Sequence, residues 1–179
     1  MAKGIWLVVA ALAVLPSTLY AGEVHRKGGR EDASTVEKRL SYIEDRLALN
    51  DIEAEYARRY DAGDCDGWAS LFDEDGVFEI VGVGTRTGQN IRGRKALLEF
   101  CSKNAHAQPG LHYFQPPSIT VDLNEAVAEI RTQWVTAQGG SDRHIHNHTF
   151  SVVRVSYRRA ADGWRILHRQ TKLFADAGQ

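Results

Sequence analysis

Leu49, Ile52, Tyr56 and Tyr60 recur at helical spacing, and this stripe constrains the fold more tightly than any other feature of the chain. Asp51, Glu55, Arg58 and Arg59 gather on the opposite side, so the helix rests on a core with one flank in water. Ala54 and Ala57 run beside the stripe and lead, at spacings of three and four, to Asp61. Gly63 follows as a helix stop. A carboxylate in the last turn opposes the helix dipole, at a cost of about 0.3–1 kcal/mol if exposed. Small neighbours around an electrostatically awkward acid point to the wall of a pocket.

Upstream, Ser34 and Glu37 have the spacing of a capping box. Val36, Leu40, Ile43 and Leu47 follow at four-three-four intervals. The pattern over residues 36–62 admits one long helix, or two with a bend near Asn50. The first part carries a narrow stripe between charged faces, which suits packing between subunits.

Downstream, Asp66 is placed to cap a short helix through Trp68, Leu71 and Phe72. Asp75-Gly76 marks a turn, residues 77–83 have strand character, and Gly82 and Gly84 bend the chain into a short strand at residues 85–87. Gly93 opens another helix with Ala96, Leu97 and Phe100 on its apolar face. From Leu111 onward the periodicity turns to strands. Residues 112–122 are broken by Pro116 and Pro117; residues 126–138, 149–159 and 164–173 follow, with turns at Gly139-Gly140 and Asp162-Gly163. Helices first and a meander of long antiparallel strands afterwards make an α+β arrangement.

The chain has 179 residues, which suits a single domain with a real core, and its formal charge of −1 offers no polyanion-binding surface. No nucleic-acid partner is expected. Lys3, the apolar run at residues 4–15, Pro16, Ser17 and a cut near Ala21 have the order of a secretory signal peptide. Retention as a membrane anchor is the alternative, but the apolar run is short of the ~20 residues a span needs, so export with cleavage, leaving no membrane contact, is the reading. Residues 1–21 are read as leader, 22–33 as a Gly-rich charged tether, and 34–174 as the domain, exported to the periplasm or beyond. Cys65 and Cys101 then meet an oxidising setting, where an even count admits one disulfide and equally two separate buried thiols.

The segments YARRYDAGDCDGWASLFDEDGVFE, GQNIRGRKALLEF, LHYF and DGWRI, in this order, resemble the SnoaL-like branch of the NTF2-like superfamily over residues 36–173. The resemblance implies a cone: a curved antiparallel sheet of about six strands wrapped around a long N-terminal helix, with two further helices. It also implies association into dimers or trimers through the outer face of the sheet. In the dehydratase and dehydrochlorinase members an Asp at the end of the long helix pairs with a His on the third strand. Asp61 and His112 fall on those positions, and Tyr56 falls on the Tyr that the bile acid dehydratase carries five residues before its Asp. Two features depart from the pattern. The second His of scytalone dehydratase is replaced by Trp134 or Thr136, and the C-terminal Arg of the bile acid enzyme has only Lys172 nearby.

Such a pair suits elimination. A neutral imidazole accepts a proton near neutral pH, while an aspartate on its other nitrogen fixes the tautomer and stabilises the imidazolium. The expectation is therefore a cofactor-independent lyase in which His112 takes a proton, Asp61 orients it and Tyr56 polarises a carbonyl or holds a departing hydroxyl. Tyr56 as a plain core aromatic competes with that role. Tyr60, Phe78, Trp134 and His148 are the candidates for lining an apolar pocket around a small hydrophobic, ring-bearing substrate. An isomerase using the same proton transfer and a non-catalytic ligand-binding or assembly module are the alternatives.

His144, His146 and His148 alternate, and in a strand they share one face. Alternating histidines can ligate zinc or copper. With no acid or cysteine at ligand spacing, the reading is a solvated hairpin, and neither metal nor cofactor is expected.

Overall fold

The computed structural model describes residues 33–82, 88–107, 109–137 and 145–177. The leader and tether readings, the strand expected at residues 85–87 and the Gly139-Gly140 turn lie outside them.

The long helix is continuous. α1 spans Ala33–Ala62, thirty residues or about 45 Å, with no bend near Asn50. It begins one residue ahead of Ser34, so Ser34 already lies inside it. Its end is a Schellman motif: Gly63 has φ +72°, its N–H donates to the Tyr60 carbonyl, and the Asp64 N–H donates to the Arg59 carbonyl. Glycine tolerates that backbone, so the helix stops within two residues of Asp61.

α2 (Cys65–Ser70) starts at once, capped by the Asp64 side chain on the Gly67 N–H. Asp66, the expected cap, sits instead in the first turn, because the Schellman motif leaves the chain one residue nearer its start. α3 (Arg94–Asn104) lies alongside, and a disulfide between Cys65 and Cys101, with Cα atoms 5.4 Å apart, joins the two. The choice the cysteine count left open is thereby resolved.

Among the described residues the sheet has seven strands, close to the expected six or so: β1 Phe72–Val81, β2 Gln89–Arg92, β3 Gly110–Phe114, β4 Ser118–Asp122, β5 Glu125–Ala137, β6 Ile145–Ala160 and β7 Gly163–Ala177. The order is β2-β1-β7-β6-β5-β3, and β4 pairs with the first half of β5 while β3 pairs with the second. Pro116-Pro117 divides what would be one edge strand into these two, since proline cannot supply a ladder donor. All pairings are antiparallel except β1 with β7. That parallel pair lies inside the sheet and joins the β1-β2 hairpin to the last strand of the chain.

Between helices and sheet lies a core centred on Trp68, which is fully buried. Its ring meets Tyr56, Tyr60, Phe72, Phe78 and Phe100 at centroid distances of 5.1 to 6.3 Å. Burying each such side chain is worth about 1.5–3 kcal/mol. Ala126, Ala128 and Ile130 of β5 and Val153, Val155 and Tyr157 of β6 complete the core by strict alternation. Two polar anchors hold α1 to the last hairpin. Asp45 accepts from Arg159 and from the Trp164 indole, and Glu53 accepts from Tyr157 and Arg169.

Candidate active site

The end of α1 and the start of β3 meet where the helix stops. Asp61 and His112 lie 51 residues apart in sequence, and the carboxylate binds the histidine twice. One oxygen, Oδ2, accepts from the His112 backbone N–H at 2.8 Å, and the other, Oδ1, lies 2.5 Å from Nδ1 of the ring. An ionised carboxylate only accepts, so a neutral His112 carries its proton on Nδ1 and presents a free lone pair at Nε2. The two side chains are 12% and 19% exposed, which leaves the pair reachable from solvent yet largely shielded from it. The backbone bond also offsets the cost of a carboxylate at a helix C-terminus, because it satisfies an oxygen that the helix cannot.

Aromatic rings fix the imidazole from three sides. Tyr60 meets it edge-on at 5.6 Å, Tyr56 edge-on at 6.1 Å, and Trp134 stacks on it at 6.0 Å with 28° between planes. Trp134 stands directly across the ladder from His112, because β3 and β5 pair in that register. Gly110 makes room for it: a Cβ there would sit 2.7 Å from both the Trp134 Nε1 and the Val135 carbonyl oxygen.

The expected pocket residues separate into two groups. Tyr60 and Trp134 are half-buried beside the imidazole. Tyr56 and Phe78 are buried, Tyr56 against Trp68 and Phe72, Phe78 against Trp68 and Phe100. Tyr56 forms the floor beneath the imidazole, and Phe78 belongs to the core around Trp68. Burial raises the phenol pKa of Tyr56, and burial followed by the neighbouring Tyr56 and Asp61 raises that of Tyr60, so both stay protonated donors at neutral pH. His148 lies in β6 opposite Val135, but its side chain is outside the described residues, as are those of His144 and His146. Among the described residues, no group of three or more His, Cys, Asp or Glu is placed to hold a metal ion.

A buried polar cluster under the floor escaped the sequence reading. Glu53, Tyr157 and Arg169 are 2%, 1% and 4% exposed. Glu53 accepts from the Tyr157 hydroxyl at 2.6 Å and from Arg169 Nη1 at 2.6 Å, and the guanidinium lies 3.7 Å from the centre of the Tyr56 ring. Burial disfavours the cation, but Glu53 outweighs it and holds Arg169 charged. Burial and Glu53 together push the Tyr157 phenol well above its ordinary range. The inward cation of β7 is thus Arg169, while Lys172 is exposed. The hint in the sequence was one unpaired acid, Glu53, on the apolar side of α1.

Residues 41–170 match the SnoaL-like domain. The chain belongs to the SnoaL-like family. A solved NTF2-like protein with a cystatin-like fold from Novosphingobium aromaticivorans is 27% identical, with a TM-score of 0.69 over 82% of this chain and 92% of that one. A Mycobacterium tuberculosis protein of unknown function, solved as an Asp-to-Asn variant, is 26% identical, with a TM-score of 0.62 over 78% of this chain and 75% of that one. A hexachlorocyclohexane dehydrochlorinase shares the fold at 14% identity, with a TM-score of 0.67 over 79% of this chain and 93% of that one. No curated protein matches in sequence. The NTF2-like, α+β reading of the sequence therefore stands, as an open, curved sheet of seven strands with one parallel pair.

Proposed function

We propose that this SnoaL-like protein is a cofactor-independent lyase that eliminates hydroxide, water or halide from a small hydrophobic, ring-bearing substrate. The observation that carries the reading is the double hydrogen bond from His112 to Asp61, which leaves Nε2 as a base beside Tyr60 and Trp134. In the proposed step Nε2 takes a proton from the carbon next to the one bearing the leaving group. The released C–H electron pair becomes the new C=C bond, and the leaving group departs with the electrons of its own bond. Asp61 stabilises the imidazolium that results. The indole of Trp134 and the ring of Tyr60 would hold an apolar ring against the base. Tyr56, being buried, supports the imidazole from below and does not touch the substrate.

That a fold neighbour is a dehydrochlorinase supports the class of reaction. The Cys65–Cys101 bridge supports delivery to an oxidising compartment, in keeping with a cleaved leader. Copies associate, in this reading, through the outer sheet face, where Leu111 and Tyr113 are more than half exposed.

The test is a thermal-shift screen of halogenated and hydroxylated cyclic compounds, followed by product analysis on each hit. Loss of the leaving group in the wild type, absent in His112→Ala, is the expected outcome. Solvent deuterium incorporated with the leaving group retained would make the protein an isomerase. Ligands that bind the wild type and stay unchanged would make it a binding module.

A further inference from the structure

The first half of α1 presents a ridge that its own domain does not use. Val36, Leu40, Ile43 and Leu47 are 48%, 54%, 52% and 61% exposed, although Asp45, Leu49, Glu53 and Tyr56 of the same helix are buried. Four large aliphatic side chains in one outward line are more than scattered surface residues require.

Their spacing is that of a heptad. Leu40 and Leu47 occupy a positions, with Ala54 next in the series, and Val36, Ile43 and Asn50 occupy d positions. The f positions, Lys38, Asp45 and Ile52, fall on the far side of the helix. Asp45 is the residue that Arg159 and Trp164 bind, so the domain hangs from the back of the helix and the a/d seam faces away from it. Ala54 is exposed too, so the seam stays open past Asn50.

The charges beside the seam choose the occupant. Glu37, Glu44 and Asp51 fill the e positions, Arg39 and Arg46 the g positions, and all are exposed. In a parallel coiled coil each g residue meets the e residue five places on in the neighbouring helix. Arg39 then faces Glu44 of the next copy, and Arg46 faces Asp51. An antiparallel arrangement would set arginine against arginine and acid against acid. We propose that residues 36–51 form a parallel coiled coil with the same segment of further copies of this chain. Leucine at a and β-branched residues at d favour three or four strands over two. This contact is separate from the outer sheet face and independent of any catalytic role.

Sedimentation velocity on the purified protein at low salt tests it. The wild type should show a mass of at least three chains, and more where the outer sheet face also joins copies. Leu40→Glu with Leu47→Glu should reduce that mass while the far-ultraviolet circular dichroism of the domain persists. Arg39→Glu with Arg46→Glu should weaken association at least tenfold, and adding Glu44→Lys and Asp51→Lys to that variant should restore it. Asn50→Cys should form an interchain disulfide on oxidation, because only a parallel register brings residue 50 beside its counterpart. A monomeric wild type, a mass indifferent to the leucine changes, or a charge swap that does not rescue would each overturn the proposal.

Discussion

Asp61 and His112 are joined by two hydrogen bonds, one to the backbone N–H at 2.8 Å and one to Nδ1 at 2.5 Å. A carboxylate that grips both the main chain and the ring of the same residue fixes the position of the strand as well as the imidazole tautomer. Replacing Asp61 with Asn keeps the shape and offers Nδ1 an amide in place of an anion, which frees the ring to take the wrong tautomer. Turnover should fall by about 10³–10⁴-fold. Relief of the unfavourable charge at the helix end should offset the lost bonds and keep stability within about 1 kcal/mol. Steady-state kinetics beside urea unfolding checks both, and turnover that survives Asp61→Asn and His112→Ala would end the catalytic reading.

Gly110→Ala acts on the same site without touching the pair. The new Cβ would collide with the Trp134 indole and with the Val135 carbonyl oxygen. Trp134 must then shift from its stack on His112, and misplacement of about 1 Å costs up to roughly 10²-fold in rate. A fall of that order in kcat/KM, with a change in tryptophan fluorescence and a domain that still folds, is expected.

The buried Glu53–Arg169 pair should be costly to break from one side. Arg169→Leu strands the Glu53 carboxylate in the core and should destabilise by about 3–5 kcal/mol. Tyr157→Phe removes one hydrogen bond to a charged group, worth about 1.5–3 kcal/mol. The two changes share Glu53, so the double variant should lose less than their sum. Denaturant midpoints of the three variants decide, and strict additivity would mean the groups act separately.

The Cys65–Cys101 bridge closes a sequence separation of 36 residues. Loop-closure entropy of that length is worth about 3–4 kcal/mol. Cys65→Ser with Cys101→Ser should lose that much stability, as should the wild type after reduction. Trp68, three residues beyond Cys65 and fully buried, should then show greater solvent exposure in its fluorescence.

Glu55 accepts from Arg58 and Arg59, which hold its carboxyl down at about 2 from an ordinary 4.5. The folded value lies below the unfolded one, so the stability it contributes is present above pH 4.5 and lost as the pH falls toward 2. A carboxyl-carbon NMR titration of the wild type should show the low midpoint. Arg58→Gln with Arg59→Gln should return it toward 4.5.

How much of this was legible beforehand follows from periodicity. The stripe Leu49, Ile52, Tyr56 and Tyr60 and the stop at Gly63 are local facts, and they determined the helix, its buried face and the place of Asp61 at its end. The strand at residues 126–138 was legible in the same way, and in the structure Trp134 shares the parity of the buried Ala126, Ala128 and Ile130. Pairing Asp61 with His112 drew on family resemblance, since no local rule joins positions 51 residues apart.

Tertiary structure alone decided the face of Arg169. Alternation from Trp164 and Ile166 would put His168 and Gln170 inside and Arg169 in water. A bulge between the Ser156–His168 and Tyr157–Ile166 pairings inserts Leu167 and reverses the parity. Hence Arg169 turns inward to Glu53, while His168 lies beside Glu79 at 3.0 Å, half-exposed. One extra residue in a strand flips every side chain beyond it, and only the pairing partner shows where that residue falls. The disulfide is of the same kind, because two cysteines in a sequence become a bridge only when packing brings their Cα atoms within about 6 Å.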